Sequence, residues 1–210
     1  MWLLVLATIS TISARATPSH QWPGHTLSGD GTSRVTLDVF GDFQCPYTAK
    51  AWLTLVDVSR HMAASDLHVR YHMFEIVAHH NAYDAARAAL ATSSQPEARR
   101  VHPAPFNAVA HSLFLNQSKF FNGVTLNKTR FAVQEELYAI TSAPQLGVSK
   151  ADWSRAFNSE AVATEVSRAH SYAISKAVHG TPTFFVQDIL IEEASSSWNA
   201  TQWVTYLTNV

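Results

Sequence analysis

The chain has 210 residues and one cysteine, Cys45. It can therefore close no internal disulfide, and its fold has to be held by an apolar core. An apolar share of 47% is enough to build one, and the length suits one domain of ordinary size. Cys45 falls where the residue pattern changes. Before it, Arg34 to Gly41 alternates and is rich in β-formers, which predicts a strand. After it, from Pro46 to about His61, the residues Ala49, Ala51, Trp52, Leu55, Val56 and Val58 recur at helical spacing, with Pro46 suited to the first helical position. A thiol at such a junction faces the unpaired N–H groups and dipole of a first helical turn, which favour the thiolate. A lone cysteine used as small apolar filler is the competing reading.

The residues 17–33, rich in Pro, Gly, Ser and Thr, read as an extended arm. A second strand is expected over Leu67 to Phe74, with Leu67, Val69, Tyr71 and Met73 on one face and His68, Arg70 and His72 on the other. From about 80 to 176 the strand pattern gives way to alanine-rich helical pattern with breaks near Ser94 to Pro96, Pro103 to Pro105, Asn122-Gly123 and Gly147. This predicts four or five helices. Thr183 to Val186 and Ile189 to Ile191, split by Gln187-Asp188, predict a hairpin, and Asn199 is the expected N-cap of a last helix over Ala200 to Leu207.

Fifteen Lys and Arg against sixteen Asp and Glu leave neither a basic footprint for nucleic acid nor an acidic tail. The apolar start of the chain ends in Ala14-Arg15-Ala16, which fits a signal peptide over residues 1–16 cleaved before Thr17. Its apolar run is shorter than the roughly 20 residues of a membrane span. The mature protein is thus expected to be free of the membrane, and secreted or held in a secretory lumen. Asn116, Asn127 and Asn199 begin Asn-x-Ser/Thr tripeptides, so they are candidate N-glycosylation sites, Asn127 foremost.

The segment Val35 to Trp52, with Asp42-Phe-Gln-Cys-Pro-Tyr-Thr48, resembles the first strand and active-site turn of the DsbA-like family of thioredoxin-fold oxidoreductases. Val178-His-Gly-Thr-Pro-Thr-Phe-Phe185 resembles that family's cis-proline loop. His80-Asn81-Ala82, Ala85 to Ala89 and Phe106 to Phe121 resemble its helical insertion. The resemblance covers roughly Val35 to the C-terminus. It implies an α/β thioredoxin-like domain over residues 34–210, with an α-helical insertion at about 80–176 and with Pro182, in cis, facing Cys45. It further implies Cys45 as nucleophile, and Pro46, Tyr47, Thr181 and Pro182 as the substrate-binding edge. Two departures stand out. Thr48 replaces the family's second cysteine, and Val39 stands where many relatives carry a buried acid.

A hydroxyl one turn along can hydrogen-bond a thiolate but cannot resolve a mixed disulfide, so Cys-Pro-Tyr-Thr excludes disulfide donation by this chain alone. The expected activity is monothiol thiol–disulfide exchange on polypeptide thiols or disulfides, with an external resolving thiol and glutathione as a co-substrate. Thr48 and His179 are the expected stabilisers of the Cys45 thiolate. The alternatives are a redox-inactive polypeptide-binding or chaperone-like module using the same groove, and glutathione conjugation as in the kappa-type transferases of this fold. No resident cofactor or metal is expected, because the histidines His68, His72, His79 and His80 lack the company of a zinc motif. No Gly-x-Ser-x-Gly elbow or phosphate loop is present.

Overall fold

The protein is described by a computed structural model covering residues 24–210. The signal peptide expected over 1–16 and the first part of the arm lie outside the described residues. At the centre lies β2 (Val35–Gly41), whose Val35, Leu37, Val39 and Phe40 are buried, Phe40 on the face opposite the others. It pairs in parallel with β3 (Leu67–Met73) and antiparallel with β4 (Thr183–Val186). The sheet is completed by β1 (His25–Ser28) beside β3 and β5 (Ile189–Leu190) beside β4, in the order β1-β3-β2-β4-β5. The segment expected only as an extended arm thus supplies an edge strand. Three residue pairs with β3 do what its breaker-rich composition concealed.

Between β2 and β3 runs α1 (Pro46–His61), with Pro46 in its first turn and Thr48, Ala51, Trp52, Leu55 and Val58 buried along one stripe. This stripe covers the sheet face made by Leu37, Val39, Val69 and Tyr71. The opposite face, with Phe40, Phe74 and Phe185, packs against Tyr172 and Ala173 of α8 (Glu160–Ser175). The two-residue turn between β4 and β5 has Gln187 and Asp188 at φ 51° and 65°, the left-handed pair that suits the twist of a hairpin.

The helical region contains more pieces than the pattern predicts. Among the described residues these are α2 (Ala82–Ser93), α3 (Pro96–Val101), α4 (Pro105–Leu115), a 3₁₀ turn (Gln117–Lys119), α5 (Asn122–Thr125), α6 (Arg130–Ser142), α7 (Lys150–Phe157) and α8. The undercount has a local cause. Pro96 and Pro105, read as breaks, are helix starts, where the missing N–H costs nothing. Helices of four to six residues also hold too few turns to show a period. The last helix, α9 (Ala200–Thr208), is capped by Asn199 through a reciprocal capping box with Gln202 and seals the sheet with Trp203 against Phe184.

Candidate active site

The site grows from the end of β2. Gly41 leaves room for two neighbours, since a Cβ there would stand 2.5 Å from Thr48 Cγ2 and 2.7 Å from the Tyr71 ring. The turn that follows is organised by Asp42, whose side chain is fully buried. Its Oδ1 accepts from the Gln44 N–H at 2.6 Å, and its Oδ2 accepts from the Ile76 N–H and His79 Nδ1, both at 2.8 Å. One carboxylate thereby joins the turn to the loop after β3.

The helical region holds the same turn from the other side. Gln117 Nε2 donates to the carbonyls of Phe43 at 2.7 Å and Cys45 at 2.9 Å. Gln44 accepts from the Asn81 N–H at 2.8 Å and donates to Asn122 Oδ1 at 2.6 Å. Asp42, Gln44, Gln117 and Asn122 were not candidate site residues on sequence. The available signal was the placing of two polar residues, Asp42 and Gln44, in an otherwise apolar stretch that folds to 1% and 2% exposure.

Cys45 is the N-cap of α1. Its residue is 3% exposed, and its Sγ donates to the Thr181 carbonyl at 3.3 Å. The Thr181–Pro182 bond is cis. Pro46 and Tyr47 are exposed beside the thiol, Tyr47 by 64%, while Thr181 and Pro182 are half-buried. The structure therefore gathers Cys45, Pro46, Tyr47, Thr181 and Pro182.

Two expected thiolate stabilisers are placed differently. Thr48 is buried, but its hydroxyl oxygen accepts from the Asp42 N–H at 3.4 Å, and among the described residues no hydrogen bond links it to Cys45. His179 is exposed on its loop and makes no hydrogen bond to Cys45. Val39 is buried opposite Tyr71 and Phe184, so no acid lies at that position. Asp38 points to the other face, where its carboxylate takes two bonds from Arg70 at 2.6 and 2.7 Å and one from His72 at 2.7 Å.

Two further histidines are engaged elsewhere. His68 Nε2 meets Thr26 Oγ1 at 3.1 Å, and His25 stacks on Phe106. Among the described residues no group of three His, Cys, Asp or Glu side chains is placed to hold a metal ion. Of the candidate glycosylation sites, Asn127 and Asn199 are exposed, whereas Asn116 Nδ2 donates to the Ser112 carbonyl at 2.8 Å.

A parallel β2–α1–β3 unit carrying a cysteine at the helix start, with a cis-proline loop against the sulfur, defines a thioredoxin-like protein. The model of the DSBA-like thioredoxin domain matches residues 36–205, and the chain belongs to that family. It is similar in fold to a structure described as a protein-disulfide isomerase from Pseudomonas syringae, at 19% identity and a TM-score of 0.71 over 86% of this chain and 96% of that one. A protein-disulfide isomerase from Novosphingobium aromaticivorans gives 16% and 0.63 over 88% and 97%. A periplasmic thioredoxin-like protein from Salmonella enterica serovar Typhimurium gives 18% and 0.62 over 89% and 88%. Identities this low speak for the fold alone. No curated protein matches the chain.

Proposed function

We propose that this protein catalyses monothiol thiol–disulfide exchange through Cys45 in an extracytoplasmic compartment. The observation that carries the reading is the contact of the Cys45 sulfur with the carbonyl of Thr181, the residue before cis-Pro182. It sets the thiol beside the half-buried Thr181–Pro182 loop, along which an extended polypeptide can lie. In the reaction, the Cys45 thiolate attacks a disulfide R–S–S–R′, forms Cys45–S–S–R and releases R′S⁻. An external thiolate then attacks the mixed disulfide, takes the R–S group and restores the Cys45 thiolate. Thr48 has no sulfur to supply the second step, which glutathione or a substrate thiol would perform.

Support for the compartment comes from the apolar leader-like start of the sequence and from the periplasmic Salmonella protein of the same fold. Among the described residues no helix is long and apolar enough to cross a membrane. In a host that glycosylates, Asn127 and Asn199 are the exposed acceptors, and peptide mass spectrometry would read their occupancy.

The test is to incubate the protein with glutathione disulfide and measure the mass of the intact chain. One glutathione adduct on Cys45, removed by added thiol, is expected. A chain that stays unmodified across pH 6–9 rejects the reading.

A second reading is favoured by one observation, the 3% exposure of Cys45. A thiol so covered suits a module that binds polypeptide on the exposed side of Tyr47 and Pro182 without redox turnover. It predicts that Cys45→Ser keeps full affinity for an unfolded polypeptide. Loss of that affinity would remove it.

A further inference from the structure

The last helix carries a groove that the Cys45 site does not use. Thr201, Gln202, Thr205 and Tyr206 recur on one face of α9 at helical spacing, and with Trp198 and Asn209 they line a space of about 540 Å³. Its apolar wall is a pair of rings, Trp198 tilted against Tyr206 with centroids 5.5 Å apart. Trp198 is supported from below by Trp203, whose ring lies 4.8 Å away and is itself buried against Phe184 of the sheet. Arg34 fixes the far end by donating to the carbonyls of Leu207 at 3.1 Å and Val210 at 3.3 Å.

The chemistry of the lining selects its occupant. None of the lining side chains is charged, so an anion or a charged peptide finds no partner there. Two aromatic faces beside two amides and two aliphatic hydroxyls suit a ligand with apolar C–H faces and many hydroxyls, which is the description of a saccharide. The chain offers an attachment point for one at this spot. Asn199-Ala200-Thr201 is an N-glycosylation acceptor tripeptide. Its asparagine directly follows Trp198, and its threonine is one of the groove residues.

The helix cap positions that asparagine. Asn199 Oδ1 accepts from the Gln202 N–H, and the Asn199 N–H donates to Gln202 Oε1, both at 2.9 Å. The amide is thereby held against a groove residue. Its oxygen is taken by the cap, while Nδ2 is on an exposed residue and makes no hydrogen bond among the described residues. Glycosylation replaces one Nδ2 hydrogen and leaves Oδ1 accepting, so the cap and the sugar do not compete. Asn116 lacks this freedom, since its Nδ2 already donates to the Ser112 carbonyl.

We propose that this groove seats the chain's own N-glycan, the first sugars on Asn199 lying on Trp198 and Tyr206 with Gln202, Thr205 and Asn209 bonding their hydroxyls. This rests on the reading that the chain enters an extracytoplasmic lumen. The donor there is an oligosaccharide linked to a lipid diphosphate. An Nδ2–C1 bond forms, the bond from C1 to the diphosphate oxygen breaks, and the displaced amide proton goes to solvent. The packed glycan covers an aromatic pair at the surface and stiffens the helix that closes the sheet.

The experiment expresses the full chain in a eukaryotic cell line, once with its own start and once behind the host's leader. Peptide mass spectrometry is expected to find Asn199 occupied. The glycan is then removed from the folded protein with peptide-N-glycosidase, which leaves an aspartate, itself a good N-cap. Hydrogen exchange at the α9 amides should quicken by about fivefold on removal in the wild type. In Trp198→Ala removal should change nothing, even where that variant exchanges faster throughout, and Thr205→Ala with Asn209→Ala, both at exposed positions, should shrink the effect. An empty Asn199 behind the host's leader, or α9 exchange in the wild type that is the same with and without the glycan, overturns the proposal. Export that succeeds only behind the host's leader rejects the compartment reading by itself, and the exchange measurements still decide whether the glycan sits in the groove.

Discussion

The Thr181 carbonyl oxygen lies 3.3 Å from the Cys45 sulfur, on a residue that is only 3% exposed. A carbonyl accepts from S–H and repels S⁻, so the contact belongs to the reduced, protonated site. Attack on a disulfide then requires the thiol proton to leave and the sulfur to face the incoming partner instead of the carbonyl.

Thr48→Cys should convert the monothiol site into a dithiol one. Thr48 is buried three residues after Cys45, on the first turn of α1, where a second sulfur can attack the mixed disulfide. The variant loaded with glutathione is expected to release it as the free thiol without added thiol, leaving a chain two hydrogens lighter than the reduced form. Release equal to that of the wild type would show that the second position cannot reach the first.

Gln117→Ala should loosen the Cys45 turn from the helical region. The change leaves the Phe43 carbonyl without its buried donor, while the Cys45 carbonyl keeps the Ala49 N–H, at a cost of about 1–3 kcal/mol. Urea denaturation measures it. Hydrogen exchange should quicken at the amides of the turn more than in the strands.

Gly41→Ala should destabilise the fold by about 1–3 kcal/mol, as overpacking does, because the added carbon meets Thr48 and the Tyr71 ring. Thr48→Ser removes the nearer methyl. The double variant is expected to recover part of the loss, and strict additivity in a double-mutant cycle would contradict the contact.

Asp38 and Glu75 should give opposite slopes of stability against pH. Burial raises the Asp38 carboxyl, but its bonds from His72 and Arg70 outweigh this and hold it below the ordinary value. Its contribution is therefore full above the unfolded value near 4 and lost as pH falls through the folded one. Asp38→Asn, which leaves Arg70 without its charge partner, should cost about 3–5 kcal/mol at pH 7.

Glu75 works the other way. The folded protein keeps its proton up to about 7, while an ordinary carboxyl gives it up near 4.5. Stability from this group is full below the unfolded value and lost as pH rises towards 7, a difference on the order of 3 kcal/mol. Glu75→Gln should thus raise the melting temperature at pH 8 and change it little at pH 4.5, as thermal denaturation at the two pH values would show.

Much of the scaffold was legible before the fold. The period-2 run of β2, the proline after Cys45 and the helical stripe from Ala51 to Val58 express preferences that lie within a few residues of each other, and α1 begins at Pro46 accordingly. The edge strand β1 was not legible, because His25 to Ser28 becomes a strand only by pairing with β3 some forty residues away. Thr48 was misplaced for a related reason. Sequence shows that a hydroxyl stands one turn from the thiol, but the choice between Cys45 and the Asp42 amide depends on how β2 ends.

Sequence by itself determined the single thiol at a strand-to-helix junction and the absence of a resolving cysteine, because each depends on residue identity and short-range geometry. Tertiary structure decided how the thiol is held and what surrounds it. Gln117 reaches back 72 residues to the Cys45 carbonyl, Thr181 lies 136 residues from the sulfur, and Asp42 draws in His79 from the loop beyond β3. A buried polar group is satisfied by whatever partner the packing brings within about 3 Å, and no local pattern records which one that will be.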